Sequence, residues 1–141
     1  GVTIRPPDQP PDNNSTTRND PTAAVPKASH VDSSTGRVVV DTPGTGSSSS
    51  VEFDPDYQPL RPDGTLARPP SIGLGHELIH ATHNGSGTNL RGTPDPTDPG
   101  GVSNHEEAQT IGRGAYSGDT PTDNSLRDEM GYPRRNSHSS L

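Results

Sequence analysis

Residues 71–83, Ser71-Ile72-Gly73-Leu74-Gly75-His76-Glu77-Leu78-Ile79-His80-Ala81-Thr82-His83, carry the strongest helical periodicity in the chain. Leu74, Leu78 and Ala81 fall at i, i+4 and i+7, which predicts one apolar stripe on a helix. His76, His80 and His83 repeat the same spacing on a different face. Asn84-Gly85-Ser86-Gly87 then supplies the residues that stop a helix.

Inside that helix lies His76-Glu77-Leu78-Ile79-His80, the pattern His-Glu-x-x-His. One helical turn separates the two histidines, so both imidazoles can reach a single Zn²⁺ at about 2.0–2.1 Å. Glu77 points about 100° around the helix, toward water rather than toward the metal. Zinc acidifies water and a neighbouring carboxylate removes its proton, so Glu77 is the predicted general base of a hydrolase. With 6 His in 141 residues, chance accounts for about 0.01 such matches.

A catalytic zinc needs a third protein ligand. The metzincin extension would require Gly at position 83 and His at 86, where this chain has His83 and Ser86. A gluzincin-type site takes a Glu from a later helix, and Asn104-His105-Glu106-Glu107-Ala108-Gln109-Thr110 offers two. Ser103 and Glu106 fit a capping box, which would tie Glu106 to the helix start. Glu107 is therefore the expected ligand, with Glu106 and then His105 as alternatives. Tyr116 is a candidate donor to the developing oxyanion. His83 reads as a surface residue or a support to the ligands.

Outward from the helix the signals weaken. Arg37-Val38-Val39-Val40-Asp41 and Val51-Glu52-Phe53 read as short strands joined by a Gly-rich turn, a hairpin flanking the helix. Val51-Glu52-Phe53 is also a candidate sheet edge for an extended peptide. A second helix is predicted from Ser103 or Asn104 to Ile111, and a third from about Asn124 to Met130. The expected fold is a minimal α+β domain over residues 36–141. Residues 1–35 lack either period and read as an extended or disordered linker.

Composition agrees with a small domain. Leu, Ile, Val and Phe number 20 of 141 residues, about 14% and below the roughly 20% of core-rich chains. The net charge of −7 is divided evenly, −3 over residues 1–70 and −4 over 71–141, which argues against a nucleic-acid-binding face. No stretch approaches the roughly 18 apolar residues of a membrane span. There is no cysteine, hence no disulfide or thiolate site. The beginning Gly1-Val2-Thr3 lacks the pattern of a signal peptide, and the chain reads as the C-terminal piece of a longer protein.

Four blocks carry a family resemblance. They are Gly46-Ser47-Ser48-Ser49-Ser50-Val51-Glu52-Phe53-Asp54-Pro55, Pro69-Pro70 with Ser71 to Ala81, Glu106-Glu107-Ala108-Gln109-Thr110-Ile111-Gly112, and Asp123-Asn124-Ser125-Leu126-Arg127-Asp128-Glu129-Met130-Gly131-Tyr132-Pro133-Arg134. In this order they resemble the bacterial effector zinc metallopeptidases that include NleD-like type III effectors. Similar domains end Rhs and VgrG polymorphic toxins. The resemblance implies a zincin-like fold, one zinc per chain, and an endopeptidase delivered into a target cell by a bacterial secretion system, type VI among the routes. It implies a target-cell protein as substrate, with an N-terminal delivery module and an immunity protein as partners, and no role for nucleic acid or membrane. It also implies that the Asn-x-Leu-Arg block supports the site, although the family pattern has Glu where this chain has Asp123. A monomer is expected. A zinc-dependent amidase or cell-wall hydrolase and a non-catalytic module stapled by zinc are the alternatives.

Overall fold

The helix predicted around the histidines spans Pro70–Ser86. Pro69 and Pro70 begin it, where the missing proline N–H costs nothing and the fixed φ is already helical. Gly87 ends it at φ 68, with the N–H groups of Gly87 and Thr88 returned to the carbonyls of Asn84 and His83. A Cβ at Gly87 would lie 2.3 Å from the carbonyl oxygen of Gly44, so the loop through Gly44 crosses the helix end at backbone contact.

The computed structural model describes residues 1–7, 15–95, 97 and 104–137. Among them the strands are β1 (Val2–Arg5), β2 (Ser15–Asn19), β3 (Ala28–Val31), β4 (Val38–Thr42) and β5 (Ser49–Phe53). They precede α1 (Pro70–Ser86), α2 (His105–Ile111), a 3-10 turn (Gly114–Tyr116) and α3 (Asp123–Met130). This is the small α+β domain the sequence predicts. No helix among the described residues is long and apolar enough to cross a membrane.

The strands are arranged differently from the expected hairpin. β5 is the centre of a three-stranded sheet, parallel to β1 on one side and antiparallel to β2 on the other. β4 pairs with β3 in a separate two-stranded sheet. Because both flanks of β5 are occupied, Val51-Glu52-Phe53 offers no edge to a peptide, and that expectation is corrected.

The reading of residues 1–35 as an extended or disordered linker does not anticipate the strands among them. These residues contribute β1, β2 and β3, two of them against the central strand. The physical reason lies in what the pairing uses. Val2 and Ile4 remain about half exposed, so β1 is held by backbone hydrogen bonds rather than by apolar burial. A composition argument counts only the apolar side chains. The buried carboxylate of Glu52 adds an ion pair with Arg5 at 2.6 Å.

The face of α1 turned inward is also not the predicted apolar stripe. Of that stripe Ala81 is buried but Leu74 and Leu78 are only half-buried, whereas Ile72, His76, Ile79, His80 and Asn84 are buried. The histidine face is thus the packed one, directed at α2 and α3. Gly75 permits the close approach of α3, since a Cβ there would meet Cδ1 of Leu126 at 2.5 Å. The apolar core stays small: Val38, Leu90, Ala108 and Tyr116 form one cluster. Elsewhere polar chains fill the interior. Asn89 Nδ2 donates to Asn84 Oδ1 at 2.7 Å, and Asn84 Nδ2 donates to Ser49 Oγ at 3.1 Å. Hydrogen-bonded amides can occupy an interior at little cost because no donor is left without a partner.

Candidate metal centre

His76 and His80 lie one turn apart on α1, and their Nε2 atoms are 3.1 Å from each other. Glu107, in the first turn of α2, presents its carboxylate to both. Oε2 is 3.3 Å from His76 Nε2, and Oε1 is 3.2 Å from His80 Nε2. Asn104 caps α2 by accepting a hydrogen bond from the Glu107 N–H at 3.1 Å, which fixes this register. Ser103, the cap expected from sequence, lies outside the described residues.

The opposite edge of each imidazole is held by a different carboxylate. His76 Nδ1 lies 2.9 Å from Asp123 Oδ2, and His80 Nδ1 lies 2.6 Å from Glu106 Oε2. An ionised carboxylate can only accept, so Nδ1 of each ring donates to it, and Nε2 is the atom each ring would offer to a metal. Those Nε2 atoms converge with the Glu107 carboxylate. The donor set is two imidazoles and one carboxylate, the composition that suits a divalent transition metal.

A second triad, His80, His83 and Glu106, also clusters closely enough to consider. Its chemistry is different. Glu106 Oε2 already accepts from His80, His83 at 2.7 Å and Thr110 Oγ1 at 3.0 Å. Its Oε1 accepts from the Leu90 N–H at 3.0 Å and from Gln109 Nε2 at 2.7 Å. A carboxylate saturated with donors orients its neighbours and has no lone pair to offer a cation. Glu106 is therefore the support of His80, and not a residue consumed by helix capping.

Electrostatics follow from these contacts. Burial alone would raise the Glu106 carboxyl, but hydrogen bonds from His80 and His83 bring it down to about 2. Burial likewise opposes ionisation of Glu107 and Asp123, and their histidine partners outweigh it, holding both well below the usual carboxylate range. Burial disfavours a charge on His76 and His80, yet the facing carboxylates raise both, His80 well above the ordinary imidazole value.

Asp123 is the residue whose role the sequence left open. Its Oδ1 accepts from Arg127 Nε at 2.6 Å and its Oδ2 from Arg135 Nη1 at 2.9 Å. Asn124 pins the following segment, accepting from the Arg135 N–H at 2.6 Å and donating to the Arg135 carbonyl at 2.8 Å. The Asn-x-Leu-Arg block thus connects to His76 through Asp123, and the shorter Asp side chain reaches the ring without difficulty. An acidic residue at a helix start, four before an Arg, was the available sequence signal.

Glu77 is half-buried and lines a cavity of about 280 Å³ together with His80 and Glu107. Tyr116 is not brought to this place. Its hydroxyl accepts from the Val38 N–H at 2.9 Å and lies 2.9 Å from His105 Nδ1, in a different cavity on the other side of α2. Tyr116 and His105 therefore pack the core cluster against β4.

Comparison with known proteins adds one finding. A family model described as "Effector protein", Peptidase_M91, matches residues 5–138. No curated protein and no solved structure matches the chain. With nearly its whole length matched, the chain belongs to this family of effector peptidases, and effectors of this kind act after delivery into a host or target cell.

Proposed function

We propose that this effector is a zinc-dependent endopeptidase of the gluzincin type, with His76, His80 and Glu107 as the protein ligands and Glu77 as the general base. The observation that carries the reading is the convergence of two Nε2 atoms on one carboxylate, with both Nδ1 atoms tied back by Asp123 and Glu106. A ring so tied keeps one tautomer and one orientation. Held there, zinc would supply Lewis acidity, polarising a scissile carbonyl and acidifying water.

The chain's own residues account for the rest of the chemistry. Glu77 is adjacent to His76 on α1 yet opens into the cavity, where its carboxylate can take the proton of the attacking water and return it to the leaving amine. A purely structural zinc site has no need of a carboxylate so placed, which favours the catalytic reading over a zinc-stapled binding module. The same chemistry on another amide, in a cell-wall hydrolase, differs only in substrate. Tyr116 keeps a packing role here.

The test is hydrolysis of an unfolded protein and of peptidoglycan by zinc-loaded chain, with Glu77→Gln as control. Cleavage of the protein alone, abolished by Glu77→Gln, supports the endopeptidase. Release of muropeptides selects the amidase, and inactivity on both overturns a hydrolytic function.

A further inference from the structure

The cavity beside Glu77 is lined by a permanent cation, Arg91. Among the described residues lining it, Arg91 is the sole lysine or arginine, in company with Glu77, His80 and Glu107. Arg91 is held at its base. Its backbone N–H donates to Asn89 Oδ1 at 2.9 Å, and its Nε approaches the same oxygen at 3.3 Å. Asn89 is itself buried and donates to Asn84, a buried residue of α1. The root of the side chain is thus tied to the helix that carries the histidines, while Arg91 stays exposed.

Neither Nη atom makes a hydrogen bond or ion pair with any described residue. This holds although Glu106 and Glu107 line the same cavity, their carboxylates being turned to the histidines. A planar fork with two outward N–H groups matches one ligand chemistry best, a carboxylate accepting both. In a chain of net charge −7 an acidic ligand is repelled overall, so attraction at this point requires a local cation.

We propose that Arg91 forms an anion subsite of the peptidase cleft, selecting substrates that carry a carboxylate close to the scissile bond, either an acidic side chain or a free C-terminus. The subsite rests on the endopeptidase reading for its biological use, but not for its binding chemistry.

Binding is therefore measured without turnover. Zinc-loaded Glu77→Gln chain is titrated with three labelled peptides of one sequence: end-blocked with an internal Glu, end-blocked with Gln instead, and the Gln peptide with a free C-terminus. The Glu or the free-C-terminus peptide should bind about tenfold tighter than the blocked Gln peptide, as a bidentate charged contact warrants. Adding Arg91→Ala should erase that ratio, and Arg91→Glu should invert it. Which peptide gains identifies the source of the carboxylate. Equal affinities for all three, or a preference that survives Arg91→Ala, overturns the subsite. Wild-type hydrolysis of the same peptides reports separately on the endopeptidase reading. A preference in binding with no cleavage would keep the subsite and reject the peptidase, and cleavage with no preference would do the reverse.

Discussion

Asp123 lies 2.9 Å from Nδ1 of His76 and is fully buried, so helix α3 reaches the edge of the candidate metal centre through one carboxylate. Arg127, also fully buried, and Arg135 meet the same group. An unpaired charge in such a place would be strongly destabilising, whereas this carboxylate has both hydrogen bonds and counter-charge. His76, Asp123 and the C-terminal segment are therefore joined in one buried network.

Removing the charge at Asp123 should be felt at the metal. Asp123→Asn keeps the size but weakens the hold on His76 and on Arg127 and Arg135. The expected loss in zinc affinity is about 10- to 100-fold, measured by competition with a chromogenic chelator. Unchanged affinity would limit Asp123 to a packing role.

Glu77→Gln should separate binding from chemistry. Zinc content and melting temperature are expected to match the parent, while kcat falls by roughly 10²–10⁴-fold. His76→Ala should instead lose the metal. Metal analysis alongside the rate distinguishes the two, and equal metal loss in both variants would contradict the assigned roles.

The N-terminal strands should matter to stability. Deleting residues 1–19 strips β1 and β2 from both flanks of β5 and takes Arg5 from the buried Glu52. An exposed central strand invites aggregation, and a buried carboxylate that loses an ion pair is destabilised. The truncated chain is expected to melt well below the parent or to precipitate. An unaltered melting curve would show that β5 needs neither neighbour.

Gly87→Ala tests the end of α1. A side chain there meets backbone atoms of Gly44 in a left-handed conformation that already disfavours L residues. The loss should exceed about 1 kcal/mol, read from chemical denaturation at constant m-value.

Chelation should loosen the domain. The proposed ligands come from α1 and α2, and the apolar core is small, so metal binding contributes directly to folding. Removing zinc is expected to lower the melting temperature by about 10 °C, corresponding to a few kcal/mol on a domain of this size. A curve indifferent to chelator would mean that the polar network alone holds the helices.

What the sequence by itself determined is local. The existence of α1, the stop at Gly87, and the single-turn spacing of His76 and His80 all follow from interactions within a few residues, which periodicity and capping rules describe, whereas the face it buries does not. The four ordered blocks also carried the family membership. Tertiary structure alone decided which carboxylate faces which nitrogen. Glu106 and Glu107 are neighbours in sequence, but successive residues on a helix point about 100° apart, so one meets Nδ1 and the other meets Nε2. Only the docking of α2 on α1 selects between them. The same holds for Asp123 beside His76 and for β1 and β2 beside β5. Those contacts join residues about 30 to 50 positions apart, through backbone groups and buried charges that leave no period in the sequence.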